Sequence, residues 1–172
     1  MIMPRGEALL LPANPFFVGA TLLLALGFNM LPLGRVAALP DLLALVLVFW
    51  NVHLPRRVGV GVAFLFGLLM DVHEGAVLGQ HALAYTVLSY VAITIHRRLL
   101  WFGVAAQALQ IVPLFFVAHL VSMLVRPAVG GMFPGWSSLL APVFEALLWP
   151  LATVLLQAPQ RRAPDRDENR PL

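Results

Sequence analysis

The sequence predicts an all-α integral membrane protein, a bundle of about six transmembrane helices with almost no water-soluble domain. Three observations carry that expectation. Hydrophobic residues make up 60% of the 172 and charged residues 11%, where an average soluble chain carries about 25% charged. Mean hydropathy is +0.88, and too few charges remain to clothe a water-exposed globule. The arginines, finally, fall mostly in short pairs at the ends of apolar runs, as topology signals do.

The polytopic domain is expected over residues 1–157, with spans near 16–33, 41–54, 58–70, 81–95, 99–125 and 138–157. The first apolar run, Phe16 to Leu33, has a signal peptide as its rival, because Val36-Ala37-Ala38 loosely resembles a cleavage site. Arg5 and Glu7 precede it at some distance, and the run exceeds the usual h-region of about 7–15 residues, so a retained helix is expected. Pro40 and Asp41 open the second run: proline suits the first helical position and a carboxylate the first turn. This run stops at Pro55-Arg56-Arg57 and the third starts at once. One continuous span would hold a proline and two charges at mid-membrane, so a tight helical hairpin with the arginines at the interface is expected. Both arms are short for a core about 30 Å thick and must extend, thin the bilayer or let the arginines snorkel.

A polar interval follows at Asp71-Val72-His73-Glu74, with Gly75 and Gly79 behind it. The fourth run ends at His96-Arg97-Arg98, and Pro113 supplies a kink point in the long fifth. Arg126 and a Gly/Pro-rich connection lead to the sixth. Residues 158–172 mix four arginines with Asp165, Asp167 and Glu168 and predict a charged, flexible cytoplasmic tail. With the N-terminus inside, Arg5, Arg56, Arg57, Arg97, Arg98 and the tail arginines fall on the inner side, and only Arg35 and Arg126 on the outer. That asymmetry predicts a multi-pass protein of the cytoplasmic membrane with both termini inside.

The pI of about 10.6 does not indicate nucleic-acid binding, because the basic residues form no continuous patch. Cysteine is absent, which removes disulfides, thiolate nucleophiles and thiolate metal sites. No nucleophile elbow, phosphate loop or dinucleotide fingerprint occurs. No sequence repeat indicates an inverted-repeat transporter. The expectation is a protein without catalytic residues, cofactor or metal.

Four groups of residues nonetheless invite a role. Asp71, His73, Glu74 and His81 could form a metal or proton-handling site, but a polar cap is the stronger reading, with Gly75 allowing the turn and a carboxylate capping the next helix. Glu145, ionisable within the sixth run, should face the bundle and find a buried partner such as Asn29, Asn51, Gln107 or Gln110. Proton transport is the alternative for it. Gly59, Ala63 and Gly67 recur every four residues and form a small-residue stripe for close helix packing, inside the chain or against a partner. Asp41 needs no role beyond starting its helix.

Leu39-Pro40-Asp41-Leu42-Leu43, Phe49-Trp50-Asn51, and the stretch from Gly67 to Asp71 through Gly75 to Leu78-Gly79-Gln80-His81-Ala82-Leu83 resemble the bacterial rod shape-determining MreD family. The Pro55-Arg56-Arg57 turn, Trp149-Pro150 and the tail from Ala158 to Pro164 look like its proteobacterial branch. The resemblance implies a non-enzymatic inner-membrane subunit of the machinery that elongates the lateral cell wall. It implies MreC as direct partner, with MreB, RodZ, RodA and a penicillin-binding transpeptidase in the same assembly. It also implies a fold similar to the substrate-binding subunits of energy-coupling-factor transporters. Pro40, Asp41, Asp71, Gly75 and Gly79 are the matching motif positions, without an assigned role. Beyond protein partners, membrane lipid and a homodimer are expected possibilities, and nucleic acid is not. The competing readings are a small-molecule or vitamin-binding transport subunit, and a membrane hydrolase built on the Asp71 cluster.

Overall fold

Asn14 starts the first helix: its side chain accepts the Phe16 N–H at 2.9 Å, and Pro15 takes the first helical position, where a missing N–H costs nothing. A computed structural model describes residues 12–31, 39–128, 130 and 135–161, all built from helices and their connections. The α-helices are α1 (Pro15–Asn29), α2 (Leu42–His53), α3 (Gly59–Glu74), α4 (Gln80–Leu100), α5 (Val104–Ala128) and α6 (Ala141–Gln157). Short 3-10 turns at Trp136–Leu140 and Ala158–Gln160 flank α6. Arg5, Glu7, Arg35, the Val36-Ala37-Ala38 site and tail residues 162–172 lie outside the described residues.

Each expected span holds one of these helices, with shifted ends. The first stops at Asn29 rather than Leu33. Pro40 lies outside α2, because Asp41 is its N-cap rather than part of its first turn. The third reaches Glu74, where Gly75 closes it in the left-handed conformation, φ 59°. The fourth runs on to Leu100, and the fifth begins only at Val104. Pro113 sits within α5.

The centre of the bundle is α2. Nine of its residues are buried, among them Leu43, Leu47, Phe49 and Trp50, and α1, α4 and α6 pack around it. Its twelve residues span about 18 Å. That falls well short of a bilayer core about 30 Å thick. Enclosed by longer helices, α2 has little lipid to match. Nor do α2 and α3 form a closely packed hairpin: α3 packs on α4, which also contacts α2 and α5.

Side-chain bonds tie the layers together. Trp50 Nε1 donates to Thr21 Oγ1 at 2.9 Å between α2 and α1, and Asn51 Nδ2 to Ser89 Oγ at 2.9 Å between α2 and α4. Trp149 Nε1 donates to Gln107 Oε1 at 3.1 Å between α6 and α5. The outward surface is apolar: Leu24, Leu109 and Leu147 are all exposed. Two units are long and apolar enough to cross a bilayer, Val104–Ala128 and Trp136–Gln160.

Candidate functional site

Polar side chains collect at the end of the bundle where α1, α3 and α5 finish and α2, α4 and α6 begin. At its centre is Asp41. As N-cap of α2 its Oδ1 accepts the Ala44 N–H at 2.9 Å, satisfying an orphan donor of the first turn. The same oxygen accepts Asn29 Nδ2 at 2.6 Å, and Oδ2 accepts the Tyr85 hydroxyl. One carboxylate thus joins α1, α2 and α4.

Glu145 completes the network from α6. Fully buried in the second turn of that helix, it lies level with the start of α2 rather than at mid-span. Its Oε1 accepts the Asp41 backbone N–H at 2.9 Å, and His119 Nε2 from α5 lies 3.5 Å away. None of the four partners expected from sequence is bonded to it. Asn29 turns to Asp41, Asn51 to Ser89 and Gln107 to Trp149 and the Phe102 carbonyl.

Asp71 makes a second buried node. It is fully buried at the end of α3 and caps the next helix across the intervening turn. Oδ2 accepts the N–H of Gly79 at 2.8 Å and of Ala82 at 3.3 Å, while Oδ1 accepts the His81 N–H at 2.7 Å. His81 Nδ1 lies 2.9 Å from Oδ1, and its Nε2 3.7 Å from Glu74. Gly79, at φ 105°, supplies no side-chain cap of its own, so Asp71 replaces it. His73 is exposed and outside this set. Among the described residues no group of three or more His, Asp or Glu is arranged to hold a metal ion.

The small-residue stripe divides. A Cβ on Gly67 would stand 2.4 Å from the Ala82 Cα, so only glycine permits this approach of α3 to α4. Ala63 is buried, whereas Gly59 opens the helix at φ 64° with free space around it. Tyr85 and His119 were not anticipated. The rule that singles out Glu145 also singles out His119, the only ionisable residue in the run from Leu99 to Val125.

Beside the network lies a cavity of about 1390 Å³, whose lining includes Asn29, Asp41, Gln80, Tyr85 and His119. A smaller apolar groove of about 400 Å³ runs between α1 and α3, past Gly19 and Phe66.

Over residues 12–158 the chain matches the family described as rod shape-determining protein MreD. It belongs to the MreD family. The rod shape-determining protein MreD of Haemophilus influenzae is 31% identical over 135 residues, which cover 76% of this chain and 81% of that protein. No solved structure matches the chain. Membership ties this MreD-family chain to rod-shape determination, and its two long apolar helices accord with a membrane protein. The matched stretch contains Asp41, Asp71, Glu145 and all six α-helices.

Proposed function

We propose that this MreD-family chain is a non-catalytic, multi-pass scaffold of the bacterial inner membrane that binds MreC and helps to maintain rod shape. MreB, RodZ, RodA and a penicillin-binding transpeptidase would join it in one wall-elongating assembly. The observation that carries the reading is how the buried carboxylates are used. The buried Asp71 and Glu145 accept backbone N–H groups at the starts of neighbouring helices, and the partly buried Asp41 accepts the Asn29 and Tyr85 side chains, so each carboxylate fixes one helix to another. Such bonds make a rigid platform rather than a reactive centre. A bundle similar to the substrate-binding subunits of energy-coupling-factor transporters is part of the proposal.

Both termini are assigned to the cytoplasm. Arg57 Nη1 donates to the Ala13 carbonyl at 3.0 Å, and Gln157 Nε2 meets His53 Nε2 at 3.1 Å. These contacts support one shared end for the start of α1, the arginine turn and the end of α6, as the positive-inside rule requires.

Gly67 is occupied by α4, so MreC's membrane anchor belongs on another face. The groove between α1 and α3 has the required character: Gly19 offers close approach with no atom of the chain within 4 Å of its missing Cβ, and Phe66 offers contact area. The test is affinity purification of the tagged chain from mild detergent, with cell shape recorded on depletion. MreC should co-purify with the natural sequence and be lost with G19L, and depleted cells should round up. Recovery of a transporter ATPase in place of MreC, with unchanged cell shape, would move the chain to the transport-subunit class.

A further inference from the structure

The 1390 Å³ cavity exceeds the roughly 300–1,000 Å³ of an ordinary small-molecule site. Its lining is graded along the bundle. At the end where α1, α3 and α5 finish it meets Asp41, Glu74, Gln80, His119 and Arg126. Along the body of the bundle it meets Leu24, Leu45, Leu148, Leu151 and Leu155. The polar end also contains an unmet demand. Gln80 is 4% exposed, yet its Oε1 accepts no hydrogen bond. A buried acceptor without a donor is costly, so a ligand that supplies one is favoured there.

We propose that this cavity binds one long-chain amphiphile of the bilayer, its head group donating an N–H or O–H hydrogen bond to Gln80 and its hydrocarbon chain lying along Leu24, Leu148, Leu151 and Leu155. The proposal goes beyond scaffolding and rests only on the chain's being embedded in a membrane. Glu74 gives a cationic or hydroxylated head a second acceptor, and Arg126 gives a phosphate a counter-charge. A partner helix meets the Gln80 demand poorly, because its backbone N–H groups are spent within the helix.

Native mass spectrometry of the purified full chain in detergent tests this. Three lipids with identical chains serve as probes: phosphatidylethanolamine, which carries N–H donors, phosphatidylglycerol, which carries O–H donors, and phosphatidylcholine, whose head carries neither. One of the two donor lipids should bind about tenfold more tightly than phosphatidylcholine, the effect of one buried hydrogen bond. Which of the two does so identifies the head. Q80L should erase the preference. L24W and L151W, at positions 73% and 55% exposed, fill the apolar part of the cavity without entering the core and should lose all three lipids. Equal binding of the three lipids, a preference that survives Q80L, or binding undiminished in both tryptophan variants would each overturn the proposal. So would loss of a co-purifying protein, rather than lipid, from those variants. Because the assay reads bound lipid and no cell shape, its failure leaves the scaffold reading untouched, and the converse also holds.

Discussion

The Asp41 backbone N–H donates to Glu145 Oε1 at 2.9 Å, joining residues 104 positions apart. The start of α2 is thereby fastened to α6. E145Q keeps a carbonyl oxygen for that N–H and should stay within about 1 kcal/mol of the natural chain. E145L orphans the donor and should lose about 1–3 kcal/mol. Thermal unfolding in detergent, followed by helical circular dichroism, separates the two. Equal melting temperatures for E145L and E145Q would remove the tie from the account.

Asp71 satisfies several N–H groups of one helix start from a neighbouring helix. D71A should lose about 2 kcal/mol or more, since it removes a cap and leaves buried donors unmet. D71N should recover only part, because its amide turns two donors toward a cluster of N–H groups. A D71N protein as stable as the natural chain would mean that these bonds contribute little.

Gly67 allows α3 and α4 to touch. G67A should lose about 1–3 kcal/mol by overpacking. A82G should not rescue it, because the added methyl meets the Ala82 Cα and N rather than its side chain. Gly61, on the same helix with nothing within 4 Å, is the control. G61A should be neutral or gain up to about 1 kcal/mol through helix propensity. Chemical unfolding of the three variants side by side checks the order, and rescue by A82G would contradict it.

Tyr85 links α4 to the Asp41 carboxylate through its hydroxyl. Y85F removes one donor from a partly buried carboxylate while keeping the ring, and should lose about 1–3 kcal/mol. N29L removes a different donor from the same group and should couple with Y85F non-additively. A double-mutant cycle that came out additive would mean that the two donors act independently.

Much of the fold was legible in the sequence because apolar runs, prolines and arginine pairs are local signals. The turn at Pro55-Arg56-Arg57 and the polar stop at Asp71 to Gly75 mark helix ends without knowledge of the rest. The centrality of α2 was not legible: a helix that is apolar all round reads the same whether core or lipid surrounds it. Asp71 and Gly75 sit close in sequence to the turn they stabilise, so their capping roles could be anticipated. The Asp41 network could not, since its members come from five helices and meet only when the bundle closes. Glu145 was found by its charge, but its partner is a backbone N–H, to which residue identity gives no clue.

The burial of α2 bears on how the chain is made. Twelve residues long, it is emitted from the ribosome well before the α4 and α6 residues that will surround it. Spanning only about 18 Å, it is too short to cross a bilayer core about 30 Å thick by itself, and on the proposed multi-pass reading its insertion would depend on a neighbour that threads with it. Until α4 arrives, Asn51 has no Ser89, and until α6 arrives the Asp41 N–H has no Glu145. The last helix synthesised therefore completes the lock at the start of the second. A ribosome that stalls or a nonsense codon that falls before Ala141 leaves a product with its central helix unlatched, a ready target for membrane quality-control proteases.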